Sequence, residues 1–183
     1  TPAMRSKIGV FVGSSYEPEK KGTWIRKQTD KTPLVRALAI RPNQSLITLS
    51  TPLMLNTHGF LYEIFKIFNH YSVSVDAITT AEISVSLTVN NNVANHLKLI
   101  NDLKALGNVK IEKDLSLISL IGNNINHTAG LAKDVFNEIE DINIRMICQG
   151  ASLHNFCFLV SDQEGENVVK SLHRKFIEGK NTK

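Results

Sequence analysis

The chain has 183 residues, 42% of them hydrophobic and 21% charged, with a formal net charge of +4; that length buries one good core or two small cores that lean on each other. No apolar run approaches the roughly 20 residues a membrane helix needs, and the start, TPAMRSKIGVFVGSS, lacks the long apolar stretch of a signal peptide. The composition therefore points away from a membrane or secreted protein and toward a cytoplasmic one.

Ile8 to Gly13 (IGVFVG) reads as a short apolar strand so close to the start, with no initiator Met, that the chain is expected to be cut from something longer. Ser14 to Gly22 is a polar loop, Thr23 to Lys27 a second short strand and Lys31 to Pro33 a linker. Val35 to Ile40 and Ser45 to Ser50 carry strand patterns on either side of a Pro42-Asn43 turn. After a loop with Pro52, apolar residues at helical spacing (Leu61, Ile64, Phe65, Phe68) predict a helix from Gly59 to about Tyr71. Val73 to Ile78 and Ile83 to Val89 alternate apolar with polar, predicting two strands with one core face each. Asn90 to Asn92 turns the chain. Leu97, Ile100, Leu103 and Leu106 predict a helix ended by Gly107-Asn108 as a C-cap, and Val109 to Lys113 a strand. Leu115 to Ile121 is a strand, Gly122 to His127 a loop, and Leu131, Val135, Phe136 and Ile139 mark a helix. Ile144 to Cys148 and Phe156 to Val160 read as strands, and Glu166 to Phe176 as the last helix.

Residues 59–89 and 130–160 are diverged copies at a constant offset of 71, pairing Gly59 with Gly130, Phe65 with Phe136 and Val89 with Val160. A fixed offset held across a turn, a helix and two strands means one supersecondary unit used twice. Each unit has the ferredoxin-like order βαββαβ, so the fold class is α+β, with helices covering one face of antiparallel sheets. The second unit lacks a closing strand after its last helix. The surplus strand material at Val35 to Ser50 is the natural replacement, which places the first repeat as an insertion within the second. Paired small units form pseudo-symmetric clefts, favouring a regulatory or binding module over a single-site enzyme.

Charge and side-chain chemistry narrow the function further. Residues 1–41 hold nine Lys/Arg against three acids, a surplus of six, and the remainder is net −2. Trp24 is the only indole nearby and no stacking motif follows, so this reads as a solvated segment, or one docked on a missing domain, rather than a nucleic-acid arm. Cys148 and Cys157 lie in apolar strand-like runs at a spacing that fits no metal motif. They read as buried reduced thiols, with a cross-strand disulfide as the alternative. His58 and His127 sit in corresponding loops and are loop residues first, ligand contacts second. No nucleophile–base pair, metal cluster or paired catalytic carboxylates stand out, and no catalytic residue is assigned.

A free amino acid presents a carboxylate and an ammonium. The carboxylate wants unpaired N–H groups at a helix start, which Gly59, Phe60 and Leu61 offer, although Gly59 taken alone equally just starts a helix. The ammonium wants carboxylates. Asp76 lies opposite the core-facing Val73 and Val75, and Glu82 sits at the turn before the next strand. The residues by themselves fit an effector site or a solvated pair of acids. At the positions paired with Asp76 and Glu82 the second repeat has Ile147 and Leu153. A cation meets no carboxylate there, so binding is expected in the first repeat only. Ile147, Cys157 and Leu159 of the second are outward and apolar, suiting burial against another such domain.

MLNTHGFLYEIFKIFNHYSVSVDAITTAEISVSLTV resembles the first ACT domain of lysine-sensitive aspartokinases, and the resemblance runs in order through IGVFVGSSYEPEKKGTW, LVRALAIRPNQSLITL and NIRMICQGASLHNFCFLV. It implies that residues 1–34 are the end of an amino-acid kinase domain and a linker, that 51–114 are a first, effector-binding ACT domain, and that 35–50 with 115–183 form a second. It implies lysine as allosteric effector, at an interface between the first ACT domains of a homodimer. Met54, Thr57, Gly59, Phe60 and Leu61 would line one side, and Ser74, Val75, Asp76, Thr80 and Glu82 the other. Threonine or another effector, or a module serving dimerisation alone, are the alternatives. Asn56, Thr57 and Ala81 stand where the family usually has His, Ser and Ser, which bears on affinity more than on ligand identity. The family's Lys-Phe-Gly-Gly-Thr-Ser phosphate-binding segment does not occur here, and a kinase needs such a cradle for the transferring phosphoryl group. The fragment is thus expected to have no phosphotransferase activity and no cofactor alone, while the parent is an aspartate kinase using ATP and Mg, with its missing kinase domain as an intramolecular partner. No nucleic-acid or membrane partner is expected.

Overall fold

The computed structural model describes residues 2–25 and 33–179. Arg26 and Lys27 of the expected second strand, and Lys31 and Thr32 of the expected linker, lie outside the described residues. The chain divides into two compact units, Thr1–Pro33 and Leu34–Lys183. The first holds a short helix α1 (Pro2–Arg5) and an antiparallel pair, β1 (Val10–Val12) with β2 (Thr23–Ile25). Phe11 lies opposite Trp24 with ring centroids 5.2 Å apart.

The second unit is built on β3 (Val35–Ser50), α2 (Phe60–His70), β4 (Ala77–Thr80), β5 (Ser84–Asn90), α3 (Leu97–Leu106), β6 (Asn108–Gly122), α4 (Leu131–Asn137), β7 (Met146–Cys148), β8 (Asn155–Ser161) and α5 (Asp162–His173). Its strands form one six-stranded antiparallel sheet in the order β4-β5-β3-β6-β8-β7. Residues 44–50 of β3 pair with β5, residues 115–121 of β6 pair with β8, and β3 and β6 pair with each other along their whole length. The α+β class and the ferredoxin-like strand order are thus both present. The segment Val35–Arg41 pairs with residues 117–122 beyond the second repeat's own strands.

Alternation of side chains gives the sheet two apolar faces. On one, Ile47, Leu49, Val85, Leu87 and Val89 pack with Phe60, Ile64 and Phe68 of α2 and Leu99, Ile100 and Leu103 of α3. Farther along the same face, Ile118, Leu120, Phe156, Phe158 and Val160 pack with Leu131 and Val135 of α4 and Val168 and Leu172 of α5. Residues of opposite parity, Leu46, Leu115, Leu117, Met146, Cys157 and Leu159, form a third core on the helix-free face, with Ala77 and Cys148 against it. There the two outermost strands approach, the Cys148 thiol lying 3.6 Å from the Ile78 carbonyl.

Several expected boundaries move. The Pro42-Asn43 turn is a kink inside one strand: register shifts between Arg41, Gln44 and Leu46, with Asn43 at φ 58°, absorb the proline while β6 holds both halves. A reverse turn there would have stripped β6 of its partner. The strands expected at 109–113 and 115–121 are likewise one, β6, kinked at Asp114 (φ 57°), a conformation Asp tolerates. The strand expected from Val73 starts only at Ala77, because Ala77 pairs with Thr88 and β5 ends two residues later. Val73 and Val75 still pack on the first core. Gly107 is extended (φ 169°) rather than left-handed. Its role is close approach, since a Cβ would sit 2.7 Å from the Ser50 carbonyl oxygen. Helix α5 starts at Asp162, not Glu166, because the Ser161 hydroxyl accepts from the Gln163 N–H at 3.3 Å as an N-cap.

Candidate functional site

The repeat is kept in three dimensions where the site was expected. Gly59 and Gly130 immediately precede α2 and α4 at φ 78° and 83°, with no side-chain cap and open space where a Cβ would stand. Strands β5 and β8 also hold the offset of 71, Ser84–Asn90 against Asn155–Ser161. At the start of α2 the N–H groups of the first turn point outward without intrahelical partners. Phe60 is 8% exposed and part of the first core, and Met54 and Val75 pack against that core. The side chains of these three are thus turned to the core. Thr57, Leu61, Ser74, Thr80 and Glu82 are exposed. The side chain of Asn56 lies outside the described ones.

The ten residues do not gather at one spot in a single chain. Thr51 N–H donates to the Ile83 carbonyl at 2.8 Å, so the Met54–Leu61 segment, Thr80 and Glu82 share the end of the sheet where β3 finishes and β5 starts. Ser74, Val75 and Asp76 follow the far end of α2. That helix has 11 residues, about 16 Å at 1.5 Å per residue.

Asp76 is not vacant. Arg41 Nη1 lies 2.5 Å from Asp76 Oδ1, with the aspartate side chain only 16% exposed and the arginine 59%, while the Asp76 N–H donates to the Thr88 carbonyl at 2.9 Å. The carboxylate thus meets a cation from β3, across β5 from the edge strand that Asp76 precedes. Sequence reasoning counted Arg41 only among the basic residues at the front. No local pattern pairs positions 35 residues apart across a kink that itself was read as a turn.

In the second repeat, Ile147 and Leu153 replace the two acids and are 44% and 51% exposed. Cys157 and Leu159 are buried, as expected, against Leu46 and Ala77 of the same chain, but Ile147 is not. Cys148 and Cys157 lie opposite each other as free thiols. Burial, then the neighbouring Cys157, pushes the Cys148 thiol above its ordinary pKa, against a smaller lowering by the Ile78 carbonyl. A cleft of about 370 Å³ between α2 and α3, lined by Glu63, Lys66, Ile67, His70, Asp102 and Ala105, uses none of the expected residues. No cluster of three or more metal-ligating side chains occurs among the described residues, and none of their helices is long and apolar enough to cross a membrane.

Residues 118–176 match the ACT domain family. The chain is 46% identical over 184 residues to lysine-sensitive aspartokinase 3 of Escherichia coli, an alignment covering 97% of this chain and 41% of that protein. The crystal structure of E. coli aspartokinase III in complex with lysine and aspartate (T-state) superposes with a TM-score of 0.84 at 46% identity, covering 96% of this chain and 40% of that one. Clostridium acetobutylicum aspartate kinase superposes with a TM-score of 0.88 at 26% identity, covering 96% and 43%. The chain spans about two-fifths of the length of these relatives.

Proposed function

The chain belongs to the ACT-bearing regulatory regions of the aspartokinase family, and from that premise we propose that it binds lysine and passes feedback inhibition to an aspartate-phosphorylating kinase domain on the same polypeptide. The observation that carries the reading is the collinear 46% identity with a lysine-sensitive aspartokinase across 97% of the chain. The site's chemistry supports it. Lysine brings one carboxylate for the open start of α2 and two ammonium groups for Asp76 and Glu82. The repeat that has Ile147 and Leu153 in their place is left a packing role.

Residues 1–34 are then the end of the kinase domain and a linker. The first ACT domain is 51–114, and the second combines 35–50 with 115–183, the first inserted in it. Because the start of α2 and Asp76 stand about a helix length apart, the site is completed by the first ACT domain of a second chain. Met54, Thr57, Gly59, Phe60 and Leu61 line one side of that interface site, and Ser74, Val75, Asp76, Thr80 and Glu82 the other. Lysine clamped between two protomers fixes their relative orientation and biases the attached kinase domains toward an inactive arrangement, which needs a differential affinity of about 1–3 kcal/mol. ATP and Mg are bound by the parent's kinase domain, and the protein works in the cytoplasm.

Titration calorimetry of this chain with L-lysine is the test. A saturable signal is expected, with competition by threonine weak or missing. Preferential binding of threonine would change the effector. A chain that dimerises but gives no saturable heat at millimolar concentrations of either amino acid would reduce the region to a dimerisation module.

A further inference from the structure

We propose that Arg41 is a built-in competitor for the effector site. In the unliganded chain its guanidinium occupies the carboxylate of Asp76, and a cationic amino acid binds by displacing it. The inference rests on the reading that Asp76 receives the effector's ammonium group.

Three observations carry it. First, the contact is a direct ion pair, Arg41 Nη1 to Asp76 Oδ1 at 2.5 Å, so an incoming ammonium and the guanidinium seek the same oxygens. Second, the partners are unequal. Asp76 is largely shielded and held by its own N–H bond to the Thr88 carbonyl, while Arg41 is 59% exposed on a long flexible stem. The carboxylate stays in place and the arginine is the partner free to leave, into water where its charge is well solvated. Third, Arg41 is the last residue of β3 in register with β6 before the kink, opposite Leu117, and Asp76 precedes β4 at the sheet's far edge. The pair therefore ties the segment after α2 to the part of β3 that packs with the second repeat. A ligand that displaces Arg41 releases that tie, and so acts on the joint between the two repeats as well as on the site.

An ion pair with so exposed a cation is worth little against water, so the competition lowers effector affinity by about two- to fivefold. That sets the effector concentration at which the site fills without altering which ligand it prefers.

Calorimetry with L-lysine on the chain and its Arg41→Met and Arg41→Lys variants tests this. Arg41→Met keeps the apolar stem and loses the charge. It is expected to bind lysine about two- to fivefold more tightly, with the unliganded melting temperature little changed. Arg41→Lys is expected to restore the parent affinity. Lysine binding that is unchanged or weaker in Arg41→Met, with the parent binding normally, overturns the competitor role alone; weaker binding would mean the arginine orients the carboxylate for the ligand. A parent chain that binds no lysine overturns the underlying reading and this inference with it.

Discussion

At the scale of single residues, two glycines allow a controlled experiment. Gly59 and Gly130 hold the same left-handed backbone at the same place in each repeat, and neither has an atom within 4 Å of where a Cβ would go. Alanine therefore meets no clash at either, only the left-handed penalty of an L-residue, about 1–2 kcal/mol, partly offset by the lower unfolded-state entropy of alanine. Gly59→Ala and Gly130→Ala are each expected to lower stability in urea by about 1 kcal/mol. Their effects on ligand should differ. A methyl at 59 stands over the first-turn N–H groups proposed to receive the lysine carboxylate. Losing one charge-assisted hydrogen bond there weakens binding on the order of tenfold, while a methyl at 130 leaves it unchanged. Equal effects on lysine would remove the start of α2 from the site.

At the scale of elements, the two long strands depend on one asparagine at their kinks. The Asn91 side-chain oxygen accepts from the buried Ser45 hydroxyl at 2.6 Å and from the Asp114 N–H at 3.4 Å, its amide donates to Asp114 Oδ1 at 3.0 Å, and its N–H donates to the Asn43 carbonyl at 2.8 Å. It thus joins the irregular points of β3 and β6, where each passes from one helix-covered core to the other. Asn91→Ala orphans the fully buried Ser45 hydroxyl, and leaving such a group unsatisfied costs about 1–3 kcal/mol. Adding Ser45→Ala is expected to recover part of that loss in a double-mutant cycle by urea denaturation, and strict additivity would show that the hydroxyl finds another partner. The same asparagine marks where sequence reading loses resolution. Helix α2 announces itself through the apolar spacing of Leu61, Ile64, Phe65 and Phe68, of which Ile64 and Phe68 are buried while Leu61 and Phe65 are 39% exposed, and β5 through alternation and β8 through a short apolar run, because local pattern records which faces are buried. Whether Pro42-Asn43 and Asp114 end a strand or kink it depends on Asn91 and on β6 as partner, and neither is local to the pattern. The site divides likewise. Asp76 and Glu82 stood out as acids the second repeat lacks, whereas Arg41 is visible only once the sheet brings it to Asp76.

At the scale of the whole second unit, the question is whether two repeats make one cooperative body. The two helix-covered cores share no buried side chain, but β3 and β6 run through both, and the third core on the opposite face draws Leu46 and Ala77 from the first repeat's side against Leu159, Cys157 and Met146 from the second's. Opening either repeat would strip a partner from half of each long strand and expose that shared apolar face. The strongly protected amides of β5 and β8 are therefore expected to exchange with hydrogen at the same opening free energy. Leu159 is fully buried in the third core, and Leu159→Ala should cost about 2–5 kcal/mol by cavity formation. Although Leu159 lies on β8, that loss is expected to appear equally in the exchange of β5 amides. A drop confined to β8 would show that the repeats open independently, and an effector bound to the first would then have no rigid route to the second.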